Sequence, residues 1–148
     1  MTSFESALYT TIAAAIDVAE EGGALFEVEL LATVYEPVNE ARAIRIGDTN
    51  ADFAPASGGV VEEWDVLGRI EILSRPADDT PEAFIAARED VRNLSLAVAQ
   101  ILFDNPTLSG GVSDSRILGG TRGWGNLKTQ RHAAANLHLI ANETGAAQ

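Results

Sequence analysis

The sequence predicts an α+β fold: a mostly antiparallel or mixed sheet of about five strands with two helices packed on one face. Three observations carry this. Two segments repeat apolar residues at helical spacing, Phe4–Leu8–Ile12 and Phe84–Ala87–Val91–Leu94–Val98. Others alternate apolar and polar residues with period two. The order α-β-β-β-α-β-β then lets both helices cover one face of a sheet built largely from antiparallel neighbours. The 148 residues, 46% of them hydrophobic, suit one domain that fills its own core.

The first helix starts at Ser3, a capping residue, and is expected to run to Gly22-Gly23. Phe26, Val28, Leu30, Ala32 and Val34 then alternate with Glu27, Glu29 and Thr33, a strand pattern broken by Glu36-Pro37. Arg42–Ile46 reads as a short second strand. Gly47–Gly59 is small, polar and rich in turn formers, and is expected to be a flexible loop. A long third strand follows from Val60 toward Pro76, with Trp64, Val66, Ile70 and Ile72 on one side and Gly68 suggesting a bend or bulge. Trp64 is expected in the core.

The second helix has the strongest local signals. Thr80 is an N-cap, Pro81 takes the first helical position, and Glu82 suits the positive end of the helix dipole. Its apolar stripe continues through Ile101, Leu102 and Phe103, and Asn105-Pro106 ends it. Val112–Leu118 is a modest strand between Gly110-Gly111 and Gly119-Gly120, read as turns. Arg131–Ala141 is a better one, with Ala133, Ala135, Leu137 and Leu139 opposed to His132, Asn136 and His138. Residues 143–148 read as a frayed terminus. The whole chain, 1–148, is thus one domain.

Charge narrows the function. The net charge is −12, which disfavours binding to a phosphate backbone. Residues 1–104 hold 20 acids and 6 bases, while residues 105–148 hold 2 acids and 4 bases. This asymmetry suits a protein whose acidic and basic surfaces meet on self-association. No cysteine is present, no basic N-terminal leader pattern is visible, and no apolar run reaches membrane-spanning length.

Motifs for chemistry fail their own tests. The glycine pairs lack the Gly-Lys-Ser/Thr ending of a phosphate-binding loop, and no strand-to-helix turn surrounds them. His132 and His138 share a strand face but stand roughly 20 Å apart, too far to hold one metal. Asp48, Asn50 and Asp52 begin like a calcium loop, but Phe53 occupies the place of the turn glycine. There is no nucleophile elbow. No catalytic, cofactor or metal residue is therefore assigned. Trp124, between two glycines and beside Arg122, has two readings: an interface anchor, or a side chain folded back over the sheet edge. With Arg116 and Lys128, Arg122 and Trp124 form the candidate interface.

The order of features then becomes informative. A long strand and an amphipathic helix lead into "FDNPTLSGGVSDSRILGG", and a final strand follows. The phrase Asp104, Thr107, Leu108, Gly110 or Gly111, Val112 and Asp114, with Asn105-Pro106 inserted, resembles the D-x-T-L-x-G-x-V-x-D progression of tail terminator (tail completion) proteins of long-tailed bacteriophages. The resemblance spans about residues 1–142; the Gly47–Gly59 loop and the Gly-Trp-Gly segment depart from it. It implies a homo-oligomeric ring, in most members a hexamer, in the neck of the virion, assembled in the host cytoplasm. Such a ring caps the tail tube, stops its polymerisation and joins it to the head–tail connector. DNA passes through the lumen without specific binding, and no membrane is involved. Another neck protein, or a small cytoplasmic ligand-binding module or enzyme, are the competing expectations.

Overall fold

The computed structural model describes residues 3–47, 53–57, 60–127 and 130–144. Helices α1 (Phe4–Asp17) and α2 (Pro81–Asp104) accompany strands β1 (Glu29–Leu31), β2 (Arg42–Ile46), β3 (Phe53–Ser57), β4 (Val60–Ser74), β5 (Asp114–Leu127) and β6 (Gln130–Thr144). The strands form one sheet in the order β1-β2-β4-β6-β5, with β3 also paired to β4. Only β1–β2 is parallel. The architecture is the expected α+β layer pair, with a mixed sheet.

Parity explains which face is covered. The β4–β6 register sets Gly68 opposite Leu139, Ile70 opposite Leu137 and Ile72 opposite Ala135, while β2 places Ile44 and Ile46 beside Ile72 and Ile70. Ile44, Ile46, Ile70, Ile72, Ala135 and Leu139 are buried, together with Phe4, Leu8 and Ile12 of α1 and Val91, Leu94 and Val98 of α2. α2 lies across β4, β5 and β6 and against α1; α1 also reaches β2. The caps are as expected. Ser3 Oγ accepts from the Ser6 amide and Thr80 Oγ1 from the Ala83 amide, each at 3.2 Å. Asp78 in turn accepts from the Thr80 amide and hydroxyl, which holds its carboxyl below the usual carboxylate range.

Several boundaries differ from expectation, each for a physical reason. α1 stops at Asp17, well before Gly22-Gly23; it has no basic residue in its last turn, and Glu20-Glu21 would place like charge against the negative end of the dipole. The expected 26–34 strand shrinks to Glu29–Leu31. Glu27 takes a left-handed conformation (φ 56°) just before it, and the Glu29 carboxylate binds the Asn39 and Glu40 amides, drawing the chain back. Within the expected 47–59 loop, Phe53–Ser57 is a strand, antiparallel to β4; the Asp48–Asp52 stretch and the Trp64 side chain lie outside the described residues. Phe103 is 81% exposed because Leu94, Val98 and Leu102 already fill the inward stripe, and the next residue turns about 100° away. β6 extends to Thr144, so Glu143 is not frayed: its carboxylate accepts the Phe4 amide at 2.8 Å.

Gly68 makes no bulge; β4 pairs with β6 without a register shift from Glu63 to Ser74. Its role is steric. A Cβ there would stand 2.5 Å from Cε2 of the buried Phe4 ring, so the glycine lets α1 close onto the sheet. A polar pin does the same for α2. Asp90 accepts from Arg42 Nε and from Ser74 Oγ, both at 2.8 Å, and Arg42 also donates to the carbonyls of Phe26 and Ala24.

The phrase from Asp104 to Asp114 is the link from α2 to the sheet. Asn105 ends the helix, its side-chain amide donating to the Ile101 carbonyl at 2.8 Å. Leu108, Ser109 and Gly110 then take positive φ, and the Gly110 and Val112 amides both return to the Thr107 carbonyl. This winding buries Leu108 and Val112 in the core and delivers β5 to the free side of β6.

Two stability tests follow. Gly68→Ala should cost about 1–3 kcal/mol in urea unfolding, since an added methyl meets a closed core, and Phe4→Leu in the same chain should recover part of it. Asp90→Ala should cost about 1.5–3 kcal/mol, the range for hydrogen bonds to a charged group, because it strips Arg42 and Ser74 of their shared acceptor.

Candidate functional site

The surface that stands out is a groove between α2 and the edge strand β5. Arg88 and Arg92 are one helical turn apart on the flank of α2, where like charges cost a few tenths of a kcal/mol. Arg122 faces them from β5. Two adjoining cavities of about 290 and 390 Å³ share Arg92 and Arg122; Arg88, Glu89 and Trp124 line one, Ser95, Leu96 and Gly120 the other. Among the described residues the ion pairs are Arg42–Asp90 and Arg45–Glu71, so all three groove arginines stand without one. Trp124 is 41% exposed and Leu96 56% exposed.

A bulge aims this groove. The β5–β6 register shifts between Ile117 and Gly119. Before the shift, Ser115 and Ile117 lie opposite Ala141 and Leu139 on the helix-covered face. After it, Gly120, Arg122 and Trp124 lie opposite Leu137, Ala135 and Ala133 on that same face. Without the extra residue, Thr121 and Gly123 would take those places and Arg122 and Trp124 would point away from α2. The Gly119-Gly120 pair is therefore inside the strand rather than a turn, and Gly-Trp-Gly is strand rather than loop. Beyond the shift, β6 pairs with β5 continuously from Gly119 to Leu127 and holds these glycines in the strand despite their low strand preference.

Of the four candidate interface residues, the fold brings together Arg122 and Trp124. Trp124 folds back over the sheet edge and meets Phe84 edge-to-face, with ring centroids 5.4 Å apart, while keeping part of its surface in solvent. Arg116 pairs with Ile140 on the opposite face, and Lys128 lies outside the described residues. Arg88 and Arg92 were missed by sequence reasoning. Their signal was present: two arginines four apart, off the apolar stripe of the second helix.

The opposite sheet face is mixed, with Ala43 and Leu73 buried and Leu67 exposed among its polar residues. Arg45 donates to Glu71 at 2.6 Å and to the Val34 carbonyl at 2.9 Å. His132, 2% exposed, sits near this pair and Arg75, while His138 is exposed. Burial holds the His132 imidazole below its ordinary pKa; the Gln130 carbonyl at 3.3 Å opposes this, and Arg75 and Arg45 reinforce it. Among the described residues no three His, Cys, Asp or Glu side chains gather as a metal site, and no helix is long and apolar enough to cross a membrane.

The lowered His132 pKa gives a signed prediction. The folded state resists protonation, so the contribution is complete above the ordinary value of about 6.5 and is lost as pH falls from there through the folded value. Urea stability measured between pH 7 and 5.5 should decline in the wild type and decline less in His132→Gln.

No model of a known protein family matches the chain, and no curated protein is significantly similar to it.

Proposed function

We propose that this chain is a structural virion protein that assembles into a ring at the phage neck, caps the tail tube, ends its polymerisation and joins it to the head connector. The observation that carries the reading is the α2–β5 groove. Three arginines without ion partners among the described residues, a half-exposed tryptophan and an exposed leucine have the composition of a protein-binding surface. In a chain of net charge −12 such a surface favours an acidic protein partner over nucleic acid. The tail-terminator resemblance supplies the biological setting. Its quoted residues form the α2-to-β5 link, the segment that hangs this groove on the sheet. In a ring of this kind an acidic lumen would keep DNA sliding rather than bound.

Native mass spectrometry and negative-stain electron microscopy test the reading, on the purified chain alone and mixed with tail tubes. A hexameric ring seated on tube ends is expected. A chain that stays monomeric at every concentration and leaves tube ends bare would sink it. The double substitution Arg122→Ala with Trp124→Ala should weaken assembly while leaving the monomer folded, at a cost of about 1 kcal/mol for the lost Phe84 contact. Normal rings from that variant would confine Trp124 to packing.

A further inference from the structure

We propose that the α2–β5 groove receives the acidic 17–41 edge of a second copy of the chain, so that copies associate head to tail. This rests on the ring reading above and adds its contact.

Charge is sorted by position in the fold. From Asp17 to Ala41 the chain has seven acids and no base. Asp17, Glu20, Glu21, Glu27, Glu36 and Glu40 are exposed; the seventh, Glu29, is occupied with the Asn39 and Glu40 amides. This stretch contains β1, which ends the sheet on one side, while β5 ends it on the other. At about 4.8 Å per strand the two ends are roughly 20 Å apart.

α2 separates the two charges on the helix face. On its β5 side stand Arg88, Arg92 and Arg122. On its other side a second groove is lined by Glu27, Glu40, Asp90 and Asn93; Arg42, the base there, is already paired with Asp90. Each copy thus carries an acidic edge and a basic groove at opposite ends of one sheet. An end-to-end contact consumes one of each and leaves one of each free. Repetition of such a heterologous contact closes a ring or runs on as a filament, and does not stop at two copies.

Reciprocal charge reversal tests this on the full chain. One variant carries Arg92→Glu and Arg122→Glu, the other Glu27→Lys and Glu40→Lys. Circular dichroism and thermal unfolding establish that both fold, and sedimentation velocity with native mass spectrometry reads assembly. Each variant alone should associate at least about tenfold more weakly than wild type. An equimolar mixture should restore assembly, because each variant's groove now matches the other's edge. Wild-type rings that persist in both single variants overturn the docking and leave the ring reading standing, as does a mixture that fails to restore assembly. A wild-type assembly that stops at a dimer overturns the head-to-tail geometry. A wild-type chain that is monomeric at all concentrations, with or without tail tubes, overturns both readings.

Discussion

The alignment of β4 with β6 is the constraint on which the rest depends. Its twelve pairs run from Glu63–Thr144 to Ser74–Ala133 without a break. Side chains alternate faces along a strand, so one residue of slip would turn Arg69 and Glu71 toward the helices and Ile70 and Ile72 away. The cost of burying those charges under α2 fixes the register firmly. Everything hung on these strands inherits it. β2 takes its place from β4, which sets Arg42 and Ser74 within reach of Asp90. β5 takes its place from β6, so the positions of Arg122 and Trp124 follow from the same parity, corrected once by the bulge after Ile117.

That bulge separates two tasks along one strand. The first half of β5 serves the core, through Ile117 opposite Leu139; the second half serves the surface, through Arg122 and Trp124 beside α2. A regular strand would have kept one parity throughout and left the α2 arginines facing Thr121 and a glycine. Closing the groove therefore takes one inserted residue, at a place where Leu118 is free to turn outward.

Legibility in the sequence followed how local the cause was. α2 was readable almost to the residue, because Thr80, Pro81 and Asn105 act on their own neighbours and the inward stripe repeats every turn. The alternation in β6 identified its covered face correctly for the same reason. β5 was not readable past Leu118: Gly119, Gly120, Gly123 and Gly125 argue for turns locally, and only pairing with a distant strand overrides them. The 26–34 strand failed in the opposite direction. Its alternation is real, but Glu27 turns left-handed and Glu29 spends its carboxylate on the returning chain. Gly68 looked like a bulge because the residue it accommodates, Phe4, is 64 positions away in sequence. The groove itself needed both α2 and β5 in place, so Arg88 and Arg92, legible only as a pair off the apolar stripe, gained a meaning once β5 brought Arg122 beside them.

The distribution of cations ties the fold to the proposed assembly. Arg42 and Arg45 are spent within the structure, each holding a carboxylate and closing a loop through backbone carbonyls. Arg88, Arg92 and Arg122 do no such work. Their mutual repulsion is a small cost that the helix and the β5 register impose rather than relieve. In a strongly acidic protein a neighbouring acid within reach would ordinarily quench them, yet among the described residues Glu89 is the one carboxylate lining the groove, while seven acids and no base fall in the 17–41 edge. Two copies carrying the same net charge repel at distances beyond the Debye length of about 8 Å only weakly at physiological salt. Inside that distance, the local match of arginines with carboxylates decides the outcome, and it favours one relative orientation. A contact set by charge position rather than by total charge would let a chain of net −12 associate with itself in a single register.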